Sequence, residues 1–143
     1  PSGRMTVVLG SAGGGSLLHE ACGHGLEGGG MSRDSSIYAR TQGKQVGSRL
    51  VTAIDDPSWP LAYGSYGADD EGTPGRPTML LAEGVQVGSL TDSAAAALLG
   101  REGSGNGRRE SYSHPPLSRM SNTYIANGAD NPADIISSVE QGV

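Results

Sequence analysis

The sequence predicts an α+β fold, with antiparallel hairpins, a helix that carries a histidine motif, and long glycine-rich loops. Three observations support this class. Two β-type runs are joined by a two-residue turn, capping residues precede short apolar stretches, and 24 glycines and 8 prolines interrupt the 143 residues. Heptads and a Gly-x-y period are absent, which excludes a coiled coil and a collagen-like chain.

The first thirty residues predict a strand, a turn and a helix. Met5–Leu9 is a short β-type run, and Gly10–Ser16 is rich in glycine, so we expect a strand followed by a turn. Leu17–His24 has helical character, with Ser16 as its N-cap. The glycines of Gly28–Gly30 are expected to end this helix.

The middle of the chain predicts a strand, a long loop and a hairpin. Val46–Ile54 shows apolar alternation, which is typical of a strand, whereas Asp55–Pro77 has no period. A loop of that length in a compact domain is usually functional or disordered. Thr78–Ala82 and Val85–Leu90 flank Glu83-Gly84, a pattern that predicts a β-hairpin.

The last third of the chain predicts two capped helices and one more strand. Asp92 precedes a short alanine-rich helix over Ser93–Leu99, and Arg101–Ser118 is expected to be a second polar loop. Asn122–Ala126 is predicted to be a strand. Asn131, followed by proline, is predicted to cap a final helix. The apolar face of that helix consists of Ile135, Ile136 and Val139.

Composition and charge exclude several classes of function. The net charge is −5 and no basic tract is present, so direct binding to nucleic acid is not expected. No apolar run is long enough for a transmembrane helix, so no membrane partner is expected. A single cysteine excludes a disulfide framework and fits a reducing compartment. Neither end is typical of a natural terminus, so we expect residues 1–143 to be one partial region of a longer protein.

The most informative residues are His19, Glu20 and His24. Two imidazoles can ligate zinc, and a nearby carboxylate can accept a proton from water. Ligands four residues apart lie on one helix face, but five residues at about 100° each would splay the two histidines by about 140°. Both can therefore reach one metal only if the helix departs from α geometry between Ala21 and Gly25, as a π-bulge would do.

Two alternatives accompany this interpretation. Two histidines five residues apart also occur in loops without any metal. Cys22 is a third candidate ligand by residue type, but a lone cysteine on a helix is more often a packing residue.

At these residues the chain resembles the TldD/PmbA peptidases, historically labelled modulators of DNA gyrase, and in particular the TldD branch. Four ordered blocks carry the resemblance and are distributed along nearly the whole chain. They are Gly15–Gly28, Asp69–Pro74, Gly105–Tyr112 and Arg119–Tyr124.

The resemblance implies a cytoplasmic, zinc-dependent metallopeptidase that acts on flexible or unfolded peptides with a TldE/PmbA-like partner subunit. His19 and His24 would ligate Zn²⁺, and Glu20 would be the general base. The third zinc ligand of the family is a distant cysteine in a C-terminal segment. We expect that segment and an N-terminal domain to be missing here, and the fragment alone to be inactive. The alternative is a non-catalytic scaffold half of a TldD–TldE-type complex.

Polar residues in the other blocks are candidates for binding the substrate backbone. They are Asn106, Arg108, Arg109, Tyr112 and Asn122. The competing interpretation is structural, with Arg108 or Arg109 paired to the acidic run Asp69–Glu71 to hold two loops together. His114 is interpreted as an ordinary surface histidine.

Overall fold

A computed structural model describes residues 2–143 and confirms the predicted α+β class. Within these residues, four α-helices accompany a four-stranded antiparallel sheet and a two-stranded one. The helices are α1 (Ser11–Leu18), α2 (Gly28–Met31), α3 (Ser93–Leu99) and α4 (Pro132–Ser137). The strands are β1 (Ala53–Asp55), β2 (Thr78–Ala82), β3 (Val85–Gln86), β4 (Gly107–Arg108), β5 (Leu117–Ser118) and β6 (Thr123–Ile125).

The larger sheet has the strand order β3-β2-β1-β6, with β4 and β5 paired separately. The predicted hairpin is confirmed as the β2–β3 pair. Its turn residues Glu83 and Gly84 have φ of 47° and 74°, the left-handed pair that a two-residue turn requires. The second strand of the hairpin ends at Gln86 and not at Leu90 as predicted.

The buried core is small and draws on distant parts of the chain. Leu26, Leu80 and Leu90 are at most 1% exposed, and they form one cluster with other buried residues. The remaining members of this cluster are Tyr38, Ala53, Leu81 and Met120. Because Leu26 and Met120 flank the histidine motif and its neighbouring loop, the core fixes the two segments that form the site.

The capping predictions for α3 and α4 are confirmed. The Asp92 carboxylate accepts a hydrogen bond from the Ala95 amide at 2.6 Å, and Gly100 ends α3 with a φ of 64°. Asn131 accepts from the Ala133 amide at 2.8 Å. The predicted apolar face of α4 is largely exposed. Over residues 2–143, no helix combines the length and the apolarity needed to cross a membrane.

Two predictions at the start of the chain are wrong. Gly10–Ser16 is not a turn, because α1 begins at Ser11, and Ser16 lies inside the helix with its hydroxyl donating to the Ala12 carbonyl at 3.3 Å. The helix lies against β6 and runs directly into the histidine motif, so packing overrides the low helix propensity of glycine. Met5–Leu9 makes only an isolated bridge at Thr6.

Two further boundaries differ from the prediction. Within Val46–Ile54 only the last residues belong to β1, because the preceding residues wrap around the hairpin turn. There the amide of Val46 donates to Gly84 at 2.9 Å, and the Gly84 amide donates to Val51 at 2.7 Å. Arg101–Ser118 was expected to be a loop, but it contains the short β4–β5 pair.

Candidate metal centre

The histidine motif lies on a π-helical turn, His19–Gly23, that follows α1 directly. The amide of His24 donates to the carbonyl of His19, the five-residue spacing that defines a π-turn. A 3₁₀ turn over His24–Leu26 follows. The predicted departure from α geometry between Ala21 and Gly25 is therefore confirmed.

The π-turn brings the two imidazoles together. The rings of His19 and His24 meet edge to face, with 4.8 Å between their centroids and 86° between their planes. The potential ligand atoms of His19, Glu20 and His24 all lie within 4.8 Å of one another. Glu20 and His24 are exposed and His19 is partly buried. The cluster is thus open to solvent on its ligand side.

This donor set fits a zinc ion. Ligand atoms at about 2.1 Å from a tetrahedral zinc lie about 3.4 Å apart. Side-chain movements that shift the observed donor atoms by about 1 Å would bring them to that spacing. Imidazole nitrogens with an adjacent carboxylate are also the chemistry that catalytic zinc sites use. Cys22 does not join the cluster among the described residues. Burial and a hydrogen bond with Cys22 raise the pKa of Tyr38 to about 12, which places Cys22 beside that ring.

Gly23 has a steric role in this turn. A Cβ at this position would overlap the Sδ of Met120, which is only 5% exposed. The glycine therefore lets the core methionine contact the π-turn directly. Glycine also lowers the backbone cost of a departure from α geometry, so the packing is a second reason for a residue without a side chain there.

Glu27 contacts the motif from its buried side. Its Oε1 lies 3.2 Å from His24 Nδ1, and its Oε2 lies 3.5 Å from the guanidinium of Arg119. The side chain is 12% exposed. Burial raises the pKa of Glu27 above its ordinary value, and His24 and Arg119 oppose that rise. Neither Glu27 nor Arg119 was among the predicted site residues.

A cavity of about 430 Å³ opens beside the two histidines. Its lining is rich in charged side chains, including three arginines and one further histidine. The charged and imidazole-bearing residues are His19, His24, Glu27, Arg108, Arg109, Glu110, His114 and Arg119. The cavity thus joins the candidate ligands to two of the residues predicted to bind substrate, Arg108 and Arg109.

Arg108 is held in place by two contacts. Its guanidinium donates to the Met120 carbonyl at 2.6 Å and lies 5.5 Å from the centre of the Tyr66 ring. Burial raises the pKa of Tyr66 far above its ordinary value, and the protonated hydroxyl donates to the Gly105 carbonyl at 2.8 Å. Arg108 therefore reaches the cavity wall as a fixed group.

The acidic run does hold two loops together, but through backbone amides. The Asp69 carboxylate accepts from the Gly107 amide at 2.9 Å, and the Asp70 carboxylate accepts from the Arg109 amide at 2.8 Å. Within residues 2–143, the ion pairs found do not include Arg108 or Arg109. The Arg109 guanidinium is thus available to the cavity.

Asn106 lies in the interior of the protein. Its side chain is fully buried, accepts from Ser104 at 2.7 Å, and donates to the Asp55 carboxylate at 2.8 Å and to the Arg119 carbonyl at 3.1 Å. These contacts occupy the amide group and leave no surface that could meet a substrate. Substrate binding by Asn106 stays a prediction that this geometry does not favour.

The other two predicted substrate-binding residues lie in different settings. The amide of Asn122 accepts from Gly64 and donates to Asp56 and Ser65, each at 2.8–2.9 Å, while its side chain borders a second cavity beside His19 and Glu20. Tyr112 is 95% exposed and points away from the interior. Asn122 therefore shares a cavity with His19 and Glu20, whereas Tyr112 does not line either cavity beside the histidines.

Two residues that sequence reasoning missed organise the site. Glu27 comes three residues after His24, and this spacing on a helical turn was the available signal. Asp55 is fully buried and accepts four hydrogen bonds, from Ser121, Thr123 and Asn106. Its partners are remote in sequence, so no local pattern could have identified its role.

Comparison with known proteins agrees with the fold and identifies the family. The PmbA/TldA metallopeptidase C-terminal domain family matches residues 2–143, and the chain belongs to this PmbA/TldD family. A metalloprotease TldD homolog from Buchnera aphidicola is 47% identical over 143 residues, which are 100% of this chain and 30% of that protein. A zinc metalloprotease TldD homolog from Saccharolobus solfataricus is 30% identical over 146 residues, covering 99% of this chain and 32% of the relative.

The fold also matches a solved structure. TldE from Thermococcus kodakarensis superposes with a TM-score of 0.78 at 29% identity, covering 90% of this chain and 29% of that one. The chain thus spans about 30% of the length of a curated relative that it matches. These matches confirm the family resemblance identified from the sequence blocks.

Proposed function

We propose that this chain provides the ligand-bearing part of a zinc-dependent peptidase that hydrolyses flexible or unfolded peptides. His19 and His24 would hold the metal, and Glu20 would be the general base. The observation that supports this most strongly is the π-turn, which places the ligand atoms of all three residues within 4.8 Å of one another. A structural role for these three side chains would not need that convergence.

When bound, Zn²⁺ would lower the pKa of a water molecule toward about 7 and polarise the peptide carbonyl. Glu20 has the properties of a proton acceptor beside that position. Its side chain is 74% exposed, and its Oε2 lies 3.8 Å from His24 Nε2. The carboxylate can therefore take a proton from water and deliver it to the leaving amine without leaving the ligand cluster.

We further propose that the cavity beside the histidines receives the substrate. Arg108 and Arg109 both line it, Arg108 is held by the Met120 carbonyl, and Arg109 makes no ion pair within residues 2–143. Positive groups at such a position can bind carbonyl oxygens and stabilise the negative charge that develops during hydrolysis. Backbone contacts of this kind would suit a peptidase of broad side-chain tolerance.

The donor set of the described residues contains two imidazoles, whereas catalytic zinc sites have three protein ligands. We propose that a cysteine beyond this segment supplies the third ligand, as the family resemblance implies. This segment by itself is then expected to be inactive. A TldE-type partner subunit is part of the same proposal, supported by the fold shared with TldE.

A second candidate function is a non-catalytic half of such a complex. The structural match to TldE favours it, but a scaffold has no use for a convergent set of two histidines and a glutamate. Zinc binding separates the two candidates. A scaffold half would bind zinc no more weakly after His19→Ala or His24→Ala.

The central experiment is Glu20→Gln in the full-length protein that contains this chain, assayed with its partner subunit on an unstructured peptide. We expect the zinc content to be retained and the cleavage rate to fall by at least about 100-fold, the usual scale for loss of a general base. Glu102→Gln is the matched control, because Glu102 is exposed and, within residues 2–143, its ion pair is with Arg76. Undiminished cleavage by Glu20→Gln would refute the assignment of the base.

A further inference from the structure

The two ring nitrogens of His24 face different groups. Nδ1 lies 3.2 Å from Glu27 Oε1, while Nε2 lies on the side of Glu20 Oε2, 3.8 Å away. A carboxylate accepts a hydrogen bond, so it favours the proton on Nδ1. Nε2 is then left with its lone pair directed toward the ligand cluster, the state that a metal ligand requires.

Glu27 is held by the core. Its neighbours on both sides pair with Leu90, since the Leu90 amide donates to Leu26 at 2.9 Å and the Gly28 amide donates to Leu90 at 2.6 Å. A Cβ at Gly28 would lie 2.9 Å from Ala95, Leu90 and Thr91 atoms, so the backbone here fits closely against α3. The Glu27 carboxylate therefore projects from a fixed backbone toward an exposed histidine.

The second oxygen of Glu27 is also engaged. The guanidinium of Arg119 lies 3.5 Å from Oε2. Arg119 is in turn anchored through its backbone, whose amide donates to Asn106 at 2.9 Å and whose carbonyl accepts from the Asn106 side chain at 3.1 Å. Glu27 thus connects His24 to the loop that forms the opposite wall of the cavity.

We propose that Glu27 is a positioning residue of the metal centre, which fixes the tautomer and orientation of His24. This inference rests on the proposed function, because it assumes that His24 is a ligand. A carboxylate bonded to the distal nitrogen of a histidine ligand also makes the ligating nitrogen more basic. Its loss typically weakens metal binding by about 10–100-fold.

The test measures Zn²⁺ affinity by competition with a chromogenic chelator, using the full-length protein that contains this chain. Glu27→Met removes the acceptor at similar length, and Glu27→Gln keeps an acceptor but removes the charge. We expect Glu27→Met to weaken Zn²⁺ binding by about 10–100-fold and Glu27→Gln to fall between it and the wild type. Glu110→Gln is the matched control, since Glu110 lines the same cavity without contacting His24.

A second readout is the visible absorption of Co²⁺ loaded in place of Zn²⁺, because this spectrum reports the ligand field and not the fold. We expect it to change in Glu27→Met and to stay unchanged in Glu110→Gln. If Glu27→Met does not fold, the Zn²⁺ affinity and the Co²⁺ spectrum of Glu27→Gln test the positioning role. A variant with lower thermal stability but wild-type Zn²⁺ affinity and Co²⁺ spectrum would overturn the inference.

Different results would refute the role of Glu27 and the metal centre itself. If His24→Ala abolishes Zn²⁺ binding while both Glu27 variants bind as tightly as the wild type, Glu27 has no positioning role and the metal centre stands. If His19→Ala and His24→Ala leave Zn²⁺ binding unchanged, the proposed metal centre itself is refuted, and the inference falls with it.

Discussion

Asp55→Asn is the substitution that tests most directly how this chain holds its site together. Asp55 is fully buried on β1 and accepts four hydrogen bonds. Its Oδ1 accepts from the Ser121 amide at 2.8 Å and the Thr123 hydroxyl at 2.6 Å. Its Oδ2 accepts from the Asn106 amide group at 2.8 Å and the Ser121 hydroxyl at 2.7 Å.

The stability lost in Asp55→Asn can be worked out from these four hydrogen bonds. A hydroxyl can turn to accept a bond, but an N–H cannot, and each carboxylate oxygen of Asp55 faces one N–H. Either orientation of the new amide therefore directs its NH₂ group at an N–H donor of Ser121 or Asn106. One N–H of the new amide and the N–H that it faces are then both unpaired. At about 1–3 kcal/mol for each buried unpaired donor, the free energy of unfolding falls by about 2–6 kcal/mol. Loss of the charge removes a desolvation cost, and the other bonds lose their charge assistance, so these two effects oppose one another.

Hydrogen exchange of the full-length protein measures this loss locally, in peptides that contain β1 and β6. A destabilisation of about 3 kcal/mol would accelerate exchange there by roughly 100-fold, whereas Thr123→Val, which removes one donor, should cost about 1 kcal/mol. Asp56→Asn is the matched control, because Asp56 is not deeply buried and its Oδ1 accepts from the amide and hydroxyl of Ser58. Equal exchange in Asp55→Asn and Asp56→Asn would refute the reasoning.

Three further predictions concern the π-turn, a helix cap and the ligand set. Gly23→Ala should lower the free energy of unfolding by about 1–3 kcal/mol because its Cβ overlaps Met120, and adding Met120→Ala should relieve the overlap. Thermal unfolding of the single and double variants measures both effects. An unchanged melting temperature for Gly23→Ala would contradict the steric role of Gly23. Asp92→Ala should lower the free energy of unfolding by about 1 kcal/mol because it removes the N-cap of α3, whereas Asp92→Asn keeps a capping oxygen and should lower it little. Midpoints of denaturant unfolding measure the difference, and equal midpoints for the two variants would contradict the capping role. Cys22→Ala should leave zinc affinity unchanged while His19→Ala abolishes tight binding, and a matching loss in Cys22→Ala would make the cysteine a ligand.

The geometry of the histidine motif could be predicted because its constraint is local. Five residues between two ligands do not fit one face of an α-helix, so the spacing itself required a widened turn. The structure has that turn at His19–Gly23. The caps of α3 and α4 and the β2–β3 turn were predictable for the same reason, since each depends on a few adjacent residues.

The groups that surround the motif could not be predicted in this way. Asn106 was assigned to substrate binding because its amide offers a donor and an acceptor to a peptide backbone, yet it is fully buried and donates to Asp55. The helix at Ser11 was missed because propensity disfavours three consecutive glycines, and the packing of α1 against β6 was not visible in the sequence. Contacts between distant segments decided both cases.

The low apolar content of the chain has a structural counterpart in its carboxylates. Only 35% of the residues are hydrophobic and the net charge is −5, yet several acidic side chains are buried. Asp55, Asp69 and Asp92 each accept at least one backbone N–H from a loop or a helix start. A hydrogen bond donated to a carboxylate is stronger than one donated to a neutral acceptor. These aspartates therefore fix loops that a small core could not fix. The cavity walls beside the histidines are among the loops held in this way, whereas the π-turn is fixed by its own backbone and by Met120. Substitution of Asp69 should therefore loosen the walls that carry Arg108 and Arg109 while leaving the two histidines in place.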